Sequence, residues 1–161
     1  MHMCSHNIDL AHKRHSLAHL LAAAALELYP EAKVTLGPPI DNGFYYDIDF
    51  GTTKISDKEL PKIEKRMRKI LPTWEGFHQI PVSTDEAKQI FADNPYKLEL
   101  INEIADKGED ITLYYSGPDA KVPSKEDVME KGEKLEAGFI DLCRGGHVAN
   151  MKEEIASDTF A

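Results

Sequence analysis

Cysteine is nearly absent from this 161-residue chain: Cys4 and Cys143 are its two. Two thiols cannot build a disulfide scaffold, and their scarcity fits a reducing, cytoplasmic setting. Long apolar runs are missing as well. Leu20 to Leu26, the longest, has seven residues, far short of the roughly 20 that span a bilayer. No basic N-terminal stretch precedes an apolar block and cleavage site, so no secretion signal is read. Positive charge is in deficit, with 19 Lys and Arg against 28 Asp and Glu and a formal net charge of −9. That excludes a protein that grips nucleic acid chiefly by neutralising phosphates. Any nucleic-acid role must rest on a small local site, or on help from elsewhere. Repeats and low-complexity tracts are lacking too. What is left is an ordinary globular balance, 42% hydrophobic and 29% charged, in a length that suits one domain with a real core.

Residues 1–8 read as a loose, disordered N-terminal stretch. Asp9 then caps a predicted helix to about Leu28, with Leu10, Leu17, Leu21, Ala24 and Leu28 at helical spacing and Tyr29-Pro30 as the stop. Lys33–Leu36 and Phe44–Phe50 read as strands around a Gly-Pro-rich loop. A second helix over about Leu60–Leu71 carries Ile63, Met67 and Ile70 on one stripe and Lys62, Lys65, Arg66, Arg68 and Lys69 on the wet side. Phe77–Val82 is a strand. Ser83 with Glu86 has capping-box spacing and opens a helix to about Ala92. Asn94-Pro95 starts another, to about Lys107, with proline at the first helical position, where its missing N–H costs nothing. Ile111–Ser116 and Phe139–Cys143 are strands, and Gly117–Glu133 between them is a polar excursion. Helices and short strands without regular β-α-β alternation imply an α+β fold, an antiparallel sheet packed with helices in a single compact domain.

Several residue types in this pattern can carry chemistry. His15 and His19 lie four apart, so their imidazoles leave one helix face about a turn from each other. Cys143 and His147, also four apart, flank Gly145-Gly146 at the end of the last strand. Two pairs of zinc-type donors far apart in sequence make a metal centre one reading. An incidental pair of histidines on a helix that also carries His12 and Lys13 is the other. The Arg144-Gly145-Gly146 turn offers a cation and backbone amides to an anion or polar substrate. Asp141, two residues before Cys143, shares its strand face and can orient a histidine or lysine. Phe44 reads as core, whereas consecutive Tyr45 and Tyr46 face opposite ways, so that one presents its hydroxyl to a cleft. Lys97, one turn into its helix, is on spacing alone a solvated surface lysine.

Three segments combine. His15-Ser16-Leu17-Ala18-His19-Leu20-Leu21, Gly37-Pro38-Pro39-Ile40-Asp41-Asn42-Gly43-Phe44-Tyr45-Tyr46-Asp47 and Asp141-Leu142-Cys143-Arg144-Gly145-Gly146-His147 together resemble the editing domain of bacterial threonyl-tRNA synthetases. The resemblance runs from about Asp9 to Ala161. The first and third segments also look like the editing domain of alanyl-tRNA synthetases and its freestanding relatives, and the middle segment favours the threonyl family. Two departures stand out: the family usually has Gly-Pro before the last histidine, where this chain has Gly145-Gly146, and Gly117–Glu133 looks like an insertion.

What the resemblance implies is specific. Residues 9–161 form an editing domain, with the polar insertion at about 117–133, that hydrolyses the ester of mischarged seryl-tRNA(Thr). Lys97 and His15 position or deprotonate the attacking water, which asks for a lowered lysine pKa in a partly buried cleft. Asp141 binds the seryl amino group, and Tyr46 contacts the seryl side chain or terminal ribose. His19, Cys143 and His147 line the pocket, while Arg144 and nearby amides help the oxyanion. The centre is expected to work without metal or other cofactor. Zinc, as in alanyl-type domains, would take His15, His19, Cys143 and His147. ATP, magnesium and a further zinc belong to the catalytic core of a full synthetase, which this chain does not contain, so an excised editing domain is expected, with a natural freestanding editor as the alternative. Its partners are the 3′ end of seryl-tRNA(Thr) and the remainder of the synthetase, in the cytoplasm and away from membranes. A zinc-dependent deacylase acting in trans, a non-catalytic tRNA acceptor-binding module and a structural zinc domain are the competing readings.

Overall fold

In the computed structural model, residues 3–37, 39–40, 42–133, 135, 137–143 and 150–155 are described. Helix α1 spans Met3–Leu28. It starts at Met3 and not at Asp9, so Asp9 lies within the helix. Its middle is lined with alanine. Ala22, Ala24 and Ala25 are fully buried, and such short side chains let the helix lie close against its neighbours.

After α1 the chain makes two small antiparallel pairs. Strand β1 (Lys33–Val34) pairs with β4 (Ile48–Asp49), and β2 (Pro39–Ile40) pairs with β3 (Gly43–Phe44). The single strand expected over Phe44–Phe50 is therefore split. Between its two parts, the Asp47 N–H donates to the Leu36 carbonyl at 2.8 Å and the Thr35 N–H to the Asp47 carbonyl at 3.0 Å. Tyr45 and Tyr46 thus sit outside both ladders.

Helix α2 (Leu60–Ile70) buries the expected Ile63, Met67 and Ile70, then tightens into a 3₁₀ turn at Leu71–Thr73. Strands β5 (Gly76–Pro81), β6 (Thr112–Gly117) and β7 (Phe139–Leu142) form an antiparallel sheet in that order. Helices α3 (Thr84–Ile90) and α4 (Pro95–Asp106) lie between β5 and β6 and begin at the predicted caps: Ser83 accepts from the Glu86 N–H, and Asn94 from the Lys97 N–H.

Two elements were not anticipated. The polar segment contains α5 (Lys125–Lys131), opened by a reciprocal cap between Ser124 and Asp127. The short α6 (Met151–Glu154) is capped by Asn150 and tied to the 3₁₀ turn by a bond from the Lys152 N–H to the Trp74 carbonyl.

Alternation along β7 divides the interior. Phe139 joins α1, α2, Trp74 and Met151 in one apolar cluster; Ile140 and Leu142 point the other way, into a second cluster with Leu113, Tyr115, Phe91, Ile101 and Val128. Trp74, 2% exposed, stacks on Phe139 with ring centroids 6.4 Å apart. A buried side chain of this size contributes about 1.5–3 kcal/mol through the area it removes from water. The result is a compact α+β domain with an antiparallel sheet. Asp141, on the Phe139 side of β7, is left facing α1.

Candidate active site

Four elements meet around Asp141. The helical period of α1 brings His15 and His19 to one face, with ring centroids 4.8 Å apart and planes inclined by 25°. Their Nε2 atoms lie 3.0 Å apart, so one ring donates and the other accepts. Cys143 Sγ is 3.3 Å from His15 Nε2. On the inner side, His19 Nδ1 is 3.1 Å from Asp141 Oδ2. Beyond Asp141 stands Lys97 of α4, whose Nζ donates to Asp141 Oδ1, to the Thr35 carbonyl at 2.6 Å and to Tyr46 Oη at 3.2 Å. Tyr46 Oη donates to Asp141 Oδ2, and the Leu142 N–H to Asp141 Oδ1 at 2.8 Å. Every ammonium proton of Lys97 therefore has an acceptor. That is what makes a fully buried lysine tolerable.

Burial sets the electrostatics. Desolvation alone would raise the Asp141 pKa, but the Lys97 charge, followed by the hydrogen bond and charge of His19, outweighs it and holds the carboxyl well below the usual carboxylate range. The Tyr46 phenol is pushed well above its ordinary value, first by burial and then by the Asp141 carboxylate it serves. Glu133, just past α5, has its pKa raised to about 7. Burial is the main cause; Lys97 opposes it, and Asp141 and Asp93 add to it. Its Oε1 is buried with no hydrogen-bond partner among the described residues.

A cavity of about 300 Å³ opens beside this network. His15, His19, Tyr46, Asp141 and Cys143 line one part, and Leu36, Leu100, Ile104 and Leu142 form an apolar wall. Five of the predicted site residues thus share one hollow. Lys97 is placed differently. Its side chain is 1% exposed and it does not line the cavity, because Asp141, Thr35 and Tyr46 enclose its amine. The partly buried cleft lysine, like the solvated surface lysine suggested by spacing alone, is corrected to a wholly buried one. Of Tyr45 and Tyr46, the second faces inward and the first is 40% exposed. Arg144, Gly145, Gly146 and His147 lie outside the described residues.

No protein-family model matches the chain. Curated relatives do. The threonine–tRNA ligase of Rubrobacter xylanophilus is 44% identical over 135 residues, covering 84% of this chain and 18% of the ligase. Those of Dehalococcoides mccartyi and Thermotoga neapolitana are 41% identical over 140 residues and 42% over 137, covering 87% and 84% of this chain and 20% and 18% of the ligases.

The chain belongs to the threonine–tRNA ligase family. It spans about a fifth of the length of the curated relatives it matches.

Within this threonine–tRNA ligase segment, sequence reasoning missed four contributors. The Thr35 carbonyl is invisible to side-chain patterns. The apolar wall had a signal, Leu100 and Ile104 four apart on α4, that the sequence reading did not use. Glu133 was one charge among many in a polar stretch. Gly37 lines the cavity, and a Cβ there would stand 2.3 Å from Tyr46 Cδ2, so glycine is what lets the tyrosine ring lie against this backbone.

Proposed function

We propose that this chain is the editing domain of a threonine–tRNA ligase, and that it hydrolyses seryl-tRNA(Thr) made in error. The observation that carries this reading is the convergence of His15, His19, Tyr46, Asp141 and Cys143 on one cavity, in a chain whose relatives are threonine–tRNA ligases. Serine lacks one methyl group of threonine, and a missing methylene is worth only about 1–3 kcal/mol of discrimination. A second site that admits serine and rejects the extra methyl supplies the rest. A cavity of about 300 Å³ is at the small end for ligand sites, as a size sieve requires.

Roles follow from placement. Asp141, kept ionised by Lys97, receives the seryl ammonium. His15, on the cavity wall beside Cys143, takes a proton from water as the water oxygen attacks the ester carbonyl. The carbonyl–oxygen bond to the terminal ribose breaks, and the proton passes to the leaving ribose oxygen, releasing serine and uncharged tRNA. Lys97 acts behind the wall: it fixes Asp141 and Tyr46 and does not meet water itself. Arg144 and His147 are proposed to border the same site. With a net charge of −9, the segment relies on the rest of the ligase, which attaches threonine with ATP, to hold the tRNA. The setting is the cytoplasm.

A second reading is favoured by the donor set. His15, His19 and Cys143 present ligand atoms within 4.8 Å of one another, and nitrogen and thiolate donors suit zinc. Held there by these three residues alone, zinc would acidify a water molecule in its open position, whereas His147 as a fourth ligand would close the site. The test is deacylation of seryl-, threonyl- and alanyl-tRNA(Thr), each with and without chelator. Release of serine alone, unaffected by chelator and lost in His15→Ala, is expected. Loss of activity on chelation, restored by zinc, would favour the second reading. Failure to release serine under either condition would overturn both.

A further inference from the structure

Asn94 caps α4, but its buried side chain does more. It is 2% exposed and makes two bonds in different directions. Oδ1 accepts the Lys97 backbone N–H at 3.2 Å, while Nδ2 donates to the Val34 carbonyl at 2.8 Å. Val34 immediately precedes Thr35, whose carbonyl accepts from Lys97 Nζ at 2.6 Å. One carboxamide therefore holds both ends of the lysine's environment: the backbone from which Lys97 springs, and the strand that presents its acceptor. The pattern demands an acceptor and a donor on separate atoms about one amide width apart. Asparagine has both. Aspartate caps a helix equally well but has no donor, and serine has a single oxygen.

We propose that Asn94 is a positioning residue for Lys97. It fixes the start of α4 against β1 so that the ammonium reaches Thr35, Tyr46 and Asp141 together. This rests on the reading above that the Lys97–Asp141 pair serves ester hydrolysis, because Asn94 touches neither the cavity nor the reacting atoms. If capping were its whole role, Asn94→Asp would be silent, since the carboxylate still accepts from the Lys97 N–H and suits a helix N-terminus. Positioning predicts the opposite. With the Val34 bond gone, β1 and α4 shift independently, and a displacement of about 1 Å at such a centre costs about 100-fold in rate.

The experiment uses the whole chain with two readouts. Lys97 is measured directly by acetic anhydride labelling and mass spectrometry, which needs no assumption about substrate, and turnover is measured on seryl-tRNA(Thr), with kcat and KM separated. The parent should protect Lys97, whose side chain is 1% exposed. In Asn94→Asp, with folding checked by thermal melting, labelling should rise and kcat should fall about 100-fold at nearly unchanged KM. Asn94→Ser, which keeps a neutral cap, should behave alike and stands in if the aspartate variant does not fold. Lys97 protected as in the parent in folded variants would overturn the proposal, whether or not turnover fell. Increased labelling with parental turnover would support the positioning role and overturn the part given to Lys97 in hydrolysis.

Discussion

Ile140 and Asp141 are consecutive residues of β7, 1% and 2% exposed, on opposite faces of one strand. Ile140 enters a region where Ile80, Leu113, Phe91 and Ile101 meet and apolar contact decides everything. Asp141 enters one where a lysine, a tyrosine, a histidine and a backbone amide converge on two oxygens. Water is equally scarce on both sides. What differs is the consequence of a loss. Removing a methyl from the apolar face leaves a small void, whereas removing one partner from the polar face leaves a desolvated charge.

The largest expected effect comes from Lys97→Met, which strands the Asp141 carboxylate. Unfolding in urea should show a loss of about 3–5 kcal/mol, together with loss of seryl-tRNA hydrolysis. Adding Asp141→Asn should restore most of the stability and none of the turnover. If the single variant were as stable as the parent, the polar face would be no different from the apolar one. Next comes Gly37→Ala. The new Cβ would collide with the Tyr46 ring, and overpacking of this kind costs about 1–3 kcal/mol. Turnover should fall further than stability, because Tyr46 is displaced from Asp141.

On the other face, Ile140→Val should cost about 0.5–1.5 kcal/mol and leave turnover per folded molecule unchanged. A large change in turnover would show that the two faces are coupled. The fourth perturbation changes a slope, not a level. Glu133 has a folded pKa of about 7 against an unfolded value near 4.3, so the native state holds the extra proton between them. Its favourable contribution is complete below the unfolded value and is lost as pH rises to about 7. Glu133→Gln should flatten that decline, which urea melts across pH 4 to 8 would reveal. Asp141 works in the opposite direction, its contribution disappearing as pH falls below the ordinary carboxylate range.

Apolar packing was legible in the sequence. Ile63, Met67 and Ile70 announced themselves by spacing, and the caps at Ser83 and Asn94 set the starts of two helices correctly. The polar face was legible in its members but not in its geometry. His15 and His19 followed from helical period, and Asp141 and Cys143 from strand alternation. That Lys97 lies wholly inside could not be read locally, because the acceptors that permit it come from Thr35, Tyr46 and Asp141, each at least 44 residues away. Nor could the split at Tyr45–Asp47, which is decided by the partner carbonyl of Leu36. Helix α5 was announced by Ser124 and Asp127, three apart, and masked by the prolines that precede it, Pro118 and Pro123.

Lys97 also bears on how the chain is made. A ribosome delivers residue 97 well before residue 141, and until β7 emerges the lysine has no counter-ion to receive it. The first two-thirds of the polypeptide can form α1 and pair its short hairpins, but it has every reason to keep that ammonium in solvent. Completion of the interior therefore waits on the last strand. A product truncated before β7 should stay loosely collapsed and be cleared by proteases, never lingering with a half-built site.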